Sequence, residues 1–120
     1  MFSKSSSKKS IAIKICGITQ ISQAKEIASL RVNAIGVIGV KQSLRFVEES
    51  KCSMIFNEVE KVSSSIEKVL VIANKKLEEV KYINNRATPP SVLQLHGNES
   101  VNYCCELKNE FPTIKLWKAF

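Results

Sequence analysis

Metal and disulfide chemistry have little to work with in this chain. It holds a single histidine, His96, and four cysteines, Cys16, Cys52, Cys104 and Cys105, with no C-x-x-C pair among them. A zinc site needs about four His or thiolate ligands at set spacings, and sequence neighbours such as Cys104 and Cys105 rarely bridge each other. The expectation is therefore reduced thiols in a cytoplasmic protein that uses no metal and no cofactor. No apolar run approaches the roughly 20 residues of a membrane span. Neither G-x-G-x-x-G nor a P-loop is present to cradle phosphate, and there is no RNA-binding aromatic signature, zinc finger or dense arginine cluster. The opening Met1 to Ser10 lacks acidic residues and an apolar core, which excludes a secretory signal. Residues 1–10 read as a disordered Ser/Lys-rich leader and residues 11–120 as the folded part.

What the chain does have is ordinary globular composition: 44% hydrophobic and 24% charged residues over 120 positions, enough for one domain with a core. The net charge of +7 invites a nucleic-acid reading. Three of the lysines lie in the leader, however, and many others alternate with glutamate, as in Lys75-Lys76-Glu78-Glu79-Lys81. Solvated helix faces look like this. The expected partner is a small molecule, with neither nucleic acid nor membrane.

From residue 11 the hydrophobic period alternates between strand and helix. Ile11–Ile15 reads as a strand. Ile21, Ala24, Ile27 and Ala28 mark a helix to about Arg31, and Ala34–Val40 a second strand. A loop over 41–46 precedes a helix whose inward face is Cys52, Ile55, Phe56 and Val59. Val69–Ala73 is an all-apolar strand of the kind covered on both faces. Leu77, Val80 and Ile83 mark a helix that Pro89-Pro90 ends. Val92–Leu95 follows as a strand, then a helix capped by Asn98 with Val101, Cys104 and Cys105 inward and Pro112 closing it. Ile114–Phe120 completes the pattern as a fifth strand. Such alternation implies an α/β fold with a parallel sheet and right-handed crossovers. An open doubly wound sheet and part of a (β/α)8 barrel both fit, since a whole barrel takes about 250 residues.

In a parallel sheet the carboxyl ends of all strands share one rim, where side chains are held rigidly yet solvent and substrate reach them. Cys16 follows the first strand on a glycine turn, Arg45 lies in the loop after the second, Asn74 ends the third, and Gln94 and His96 end the fourth. A buried structural thiol is the bland alternative for Cys16, and a histidine bonding a neighbouring loop is the alternative for His96. A thiol, a guanidinium and an imidazole converging on one rim form a candidate site.

These residues sit in stretches that resemble the phosphoribosylanthranilate isomerase family of tryptophan biosynthesis. The matching pieces are Lys14-Ile15-Cys16-Gly17-Ile18-Thr19, Ala34-Ile35-Gly36-Val37 with Ser43-Leu44-Arg45-Phe46-Val47, the strand Lys68–Asn74, Gln94-Leu95-His96-Gly97-Asn98-Glu99-Ser100 with Tyr103-Cys104, and Lys118-Ala119-Phe120. The resemblance implies a (β/α)8 TIM barrel, incomplete here at about five parallel strands and four helices. It also implies an Amadori rearrangement of N-(5-phosphoribosyl)anthranilate to 1-(2-carboxyphenylamino)-1-deoxyribulose 5-phosphate. By the same resemblance Cys16 is the general base, Arg45 holds the anthranilate carboxylate, and His96 lies near the substrate.

Three departures from the family accompany the match. Ser43-Leu44 stands where proline commonly precedes the arginine, so the loop is less preset. The second strand lacks the usual phenylalanines, which implies looser packing around an aromatic substrate. The family's general acid, an aspartate on a sixth strand, and its glycine-rich phosphate loops after later strands are not in these residues. The 120-residue polypeptide alone is therefore expected to be inactive, and to self-associate or to need a missing C-terminal half, because open strand edges are sticky. The alternatives are a degenerate half-barrel, or an open α/β binding or assembly module without catalysis. A fragment of a full enzyme fits best.

Overall fold

The computed structural model describes residues 11–119. The leader at 1–10 and Phe120 lie outside the described residues. The elements run β1 (Lys14–Ile15), α1 (Ile21–Ser29), β2 (Ala34–Ile38), α2 (Glu49–Val62), β3 (Glu67–Ile72), α3 (Leu77–Asn84), β4 (Val92–Leu95), α4 (Val101–Glu110) and β5 (Lys115–Lys118). All pairs are parallel, and the sheet order is β1-β2-β3-β4-β5.

That order decides between the two architectures left open by the sequence. When each right-handed crossover lands on the next strand along, every helix falls on the same face. A doubly wound sheet reverses its order partway and places helices on both faces. Here Ile35, Val37, Leu70, Ile72, Leu93 and Leu95 pack with the helix residues Ala24, Ala28, Phe56, Val59, Val80, Ile83 and Leu107 in one core. The alternate strand residues Ala34, Val69 and Val92 form a separate cluster on the other face, as the two-residue period of a strand requires. Each fully buried Ile, Leu, Val or Phe contributes about 1.5–3 kcal/mol, so this convex layer dominates the stability.

The helix-free face is concave. Lys14 Nζ on β1 donates to Gln94 Oε1 on β4, and lies 5.7 Å from the centre of the Trp117 ring on β5. Lys115 on β5 pairs with Glu67 on β3. Neither pair joins neighbouring strands, so the sheet curls as a barrel wall does.

Several expected boundaries move. β1 is confined to Lys14–Ile15, with Ile11 and Ile13 exposed, because only Lys14 and Ile15 are in register with β2. β2 stops at Ile38, short of Val40, and β3 runs Glu67–Ile72. α3 ends at Asn84 and not at the proline pair. The cap of α4 is Ser100, whose Oγ accepts the Tyr103 N–H at 3.1 Å, while the Asn98 N–H is turned to Asn74. Val101 and Cys105 on α4 are exposed, and Leu107 takes the inward position. β5 spans Lys115–Lys118 only. No helix among the described residues is long and apolar enough to cross a membrane.

Candidate active site

The turn after β1 is fastened to β2. Gly17 N–H and Ile18 N–H both donate to the Gly36 carbonyl, at 3.0 and 3.1 Å. Reaching one acceptor with two successive donors needs a sharp backbone reversal, and Gly17 supplies it with φ +84°. Cys16 is thereby held half-buried at the carboxyl end of β1. Its sulfur lies 3.0 Å, and Lys14 Cε 3.3 Å, from the point a Cβ on Gly36 would occupy. The missing side chain of Gly36 is the space the thiol uses.

Arg45 reaches the same spot from the loop after β2. Its guanidinium lies against Gly17, with Cζ 2.7 Å from where a Cβ there would sit. Any side chain at Gly17 would evict the guanidinium. The loop carrying Arg45 is preset without proline: the Arg45 N–H donates to Ser43 Oγ at 3.1 Å, Phe46 N–H to the Ser43 carbonyl, and Val47 N–H to the Ile38 carbonyl. Ser43 thus anchors a turn that presents Arg45. β2 itself is buried along its length.

His96 stands on the same rim but apart from this pair, at the end of β4, with an exposed ring. Its backbone N–H donates to the Ile72 carbonyl, and its ring makes no hydrogen bond among the described residues. The alternative in which the imidazole ties down a neighbouring loop is not what holds that loop. Asn74 and Glu99 hold it. Asn74, in the left-handed region at φ 54°, accepts the Asn98 N–H on Oδ1 at 2.8 Å. Glu99 accepts the Asn74 N–H at 2.7 Å and the Gly97 N–H at 2.9 Å. Lys118, from the end of β5, donates to Glu99 at 2.8 Å and to the Gly97 carbonyl at 2.6 Å. Burial by itself would raise the Glu99 carboxyl. The Lys118 ammonium and the backbone N–H groups of Asn74, Glu99 itself and Gly97 outweigh it and bring it down to about 2. One carboxylate therefore clamps the rim loops after β3, β4 and β5. Glu99 carried no assigned role in the sequence; its signal was its place in the Gln94–Ser100 motif, directly before a helix cap.

The rim thus carries a thiol after β1 and a guanidinium in the loop after β2, each set against a glycine. Among the described residues no three metal-ligating side chains cluster.

Comparison with known proteins gives a consistent picture. A sequence-family model described as N-(5'-phosphoribosyl)anthranilate (PRA) isomerase matches residues 13–119. The N-(5'-phosphoribosyl)anthranilate isomerase of Rippkaea orientalis is 38% identical over 108 residues, covering 90% of this chain and 48% of the relative. The crystal structure of TrpF from Jonesia denitrificans superposes with a TM-score of 0.73 at 30% identity, covering 92% of this chain and 51% of that one. A phosphoribosyl anthranilate isomerase in complex with reduced 1-(o-carboxyphenylamino)-1-deoxyribulose 5-phosphate shares the fold, with a TM-score of 0.76 at 22% identity and coverage of 91% and 53%. The chain spans about half the length of the curated relatives it matches.

Proposed function

Because the chain belongs to the N-(5'-phosphoribosyl)anthranilate isomerase family, we propose that it forms the amino-terminal part of a catalyst for the Amadori rearrangement of N-(5'-phosphoribosyl)anthranilate. The observation that supports this reading is that the Cys16 thiol lies against Gly36 and the Arg45 guanidinium against Gly17, two residues without side chains at the carboxyl ends of β1 and β2. Once the sugar opens to a protonated Schiff base, its C2 hydrogen becomes acidic. The Cys16 thiolate removes that proton, and the electron pair moves into the C1–C2 bond to give an enamine that goes on to the aminoketose. Arg45 grips the planar carboxylate of the anthranilate ring with a planar fork. His96, exposed on the same rim, is assigned a place near the substrate by this reading. The substrate is a small phosphorylated molecule, in keeping with the ligand of the related complex.

Ring opening needs an acid, and the family uses an aspartate for it. The chain contains no aspartate at any of its 120 positions. None of the described loops is a glycine-rich phosphate cradle. The 120-residue polypeptide assayed by itself is therefore inactive, and completion requires strands that these residues do not hold. Loss of a general acid alone costs about 10²–10⁴-fold, and loss of phosphate binding removes energy that drives the chemistry.

The test is complementation. The polypeptide mixed with the carboxyl-terminal half of a relative should gain isomerase turnover, and neither piece should turn over alone. In the completed enzyme Cys16→Ser should cut kcat about 10²–10⁴-fold, and Arg45→Lys should act mainly through KM. If Cys16→Ser leaves turnover unchanged in the completed enzyme, the thiol is not the base and the reading fails.

A further inference from the structure

Lys14 shares with Cys16 the space that Gly36 leaves open. Gly36 is two positions along β2 from Ala34, which packs with Val69 and Val92 on the concave face, so a Cβ on Gly36 would point to that face. The point it would occupy lies 3.3 Å from Lys14 Cε and 3.0 Å from the Cys16 sulfur. The end of the lysine stem and the thiol thus flank one gap on the same side of the sheet, with the lysine on the strand below the rim and the thiol at the rim.

The Lys14 side chain is half-buried, and both of its partners are uncharged: Gln94 Oε1, which accepts its proton, and the Trp117 ring, 5.7 Å away at its centre. It forms no ion pair among the described residues. The other lysines of this side are answered, Lys115 by Glu67 and Lys118 by Glu99. An ammonium set into a protein wall calls for an opposite charge. The charges around the thiol leave few candidates. Between residues 11 and 47 the single acid is Glu26, exposed on α1. β2 carries no ionisable side chain, and the loop after it brings the Arg45 guanidinium to Gly17. β3 brings Glu67, already paired with Lys115 of β5, and β4 brings the neutral Gln94. At the rim beyond β4 stand His96 and the Glu99–Lys118 pair. The Cys16 sulfur is the group beside Lys14 that has a negative form still unanswered.

From this we propose that Lys14 is the positioning residue of the base: its ammonium is the counter-charge that favours the thiolate of Cys16, the form that accepts the substrate proton. The ammonium gives up no proton in that step; the C2 proton goes to sulfur. Arg45 meets the substrate carboxylate, so Lys14 is the cation left to answer the sulfur. The inference rests on the reading of Cys16 as the base, but its test needs no turnover.

The test is alkylation of the full chain by iodoacetamide over a pH series, with each cysteine followed by peptide mass spectrometry. Thiolate is the reacting form, so the profile reports ionisation apart from access. In Lys14→Met the pH of half-maximal reactivity of Cys16 should rise by about one unit or more, while the exposed Cys105 on α4 keeps its profile. Lys14→Arg, which keeps the charge, should restore the Cys16 profile. Gln94→Glu separates charge from scaffolding and decides if Lys14→Met fails to fold. It preserves the contact to Lys14 but gives the ammonium a carboxylate, so the Cys16 profile should again move up. A merely structural Lys14 would leave that variant unchanged. An unmoved Cys16 profile in Lys14→Met or Gln94→Glu, or a shift that Cys105 shares, would overturn the proposal. None of these results bears on whether Cys16→Ser abolishes turnover in the completed enzyme, so the two readings fail separately.

Discussion

Glu99 exposes 2% of its side chain, yet it stays ionised because the Lys118 ammonium and backbone N–H groups surround it. Its folded value of about 2 lies below the ordinary 4.5. A carboxyl depressed on folding stabilises the fold fully above its unfolded value and loses that contribution as pH falls through the folded value. Stability should thus decline between about 4.5 and about 2, by roughly 3 kcal/mol for this group. Glu99→Gln should flatten that part of a urea-denaturation pH profile and lower stability near neutrality. Gly36→Ala is the matching test beside Cys16. A Cβ there would stand 3.0 Å from the Cys16 sulfur and 3.3 Å from Lys14 Cε, so both side chains would have to give. Overpacking of this kind costs about 1–3 kcal/mol, and calorimetric melting of the variant should show it as a lower Tm. Cys16, Arg45 and His96 were legible as rim residues from their places after strand patterns. The contact of Arg45 with Gly17 was not, because a side chain's direction across two loops is written in neither loop alone.

Elements were read from the sequence most reliably where the apolar pattern was strong. Val92–Leu95 appears with the expected bounds, and the α2 face Cys52, Ile55, Phe56 and Val59 is buried as its spacing requires. Ends were read less well, for specific reasons. Asn98 is a good cap by residue type, but it belongs to the rim loop that Asn74 holds, and the cap is Ser100, with the helix starting at Val101. Ser100→Ala should therefore cost about 1 kcal/mol, seen as a lower midpoint in chemical denaturation, whereas Asn98→Ala should leave the helix end intact. Pro89-Pro90 marks a limit that α3 never reaches: it stops at Asn84, and Arg86 then turns in toward Glu49. Ile11 and Ile13 look like strand residues, yet the ladder with β2 runs only through Lys14 and Ile15, with Ile13 contributing its carbonyl to the Asn33 and Ala34 N–H groups at its edge.

The whole molecule is a curled five-stranded wall with helices on its outside and β1 and β5 as its two edges. Trp117, the single tryptophan of the chain, lies on the concave side of β5 with 37% of its surface exposed. Covering that face should move its fluorescence to the blue. Mixing the polypeptide with a complementary carboxyl-terminal half should produce that shift, and sedimentation should show self-association of the uncomplemented polypeptide that the mixing reverses. A monodisperse monomer with unchanged emission on mixing would count against closure of the wall. The amino-acid sequence by itself determined the alternation of strand and helix and the residues brought to a common rim, because periodicity and turn chemistry are local. Only the tertiary structure decided the consecutive strand order, the single helical face and the Glu99 clamp. Each of these joins residues far apart in the chain, and which distant pairs meet is settled by how the sheet curls and packs.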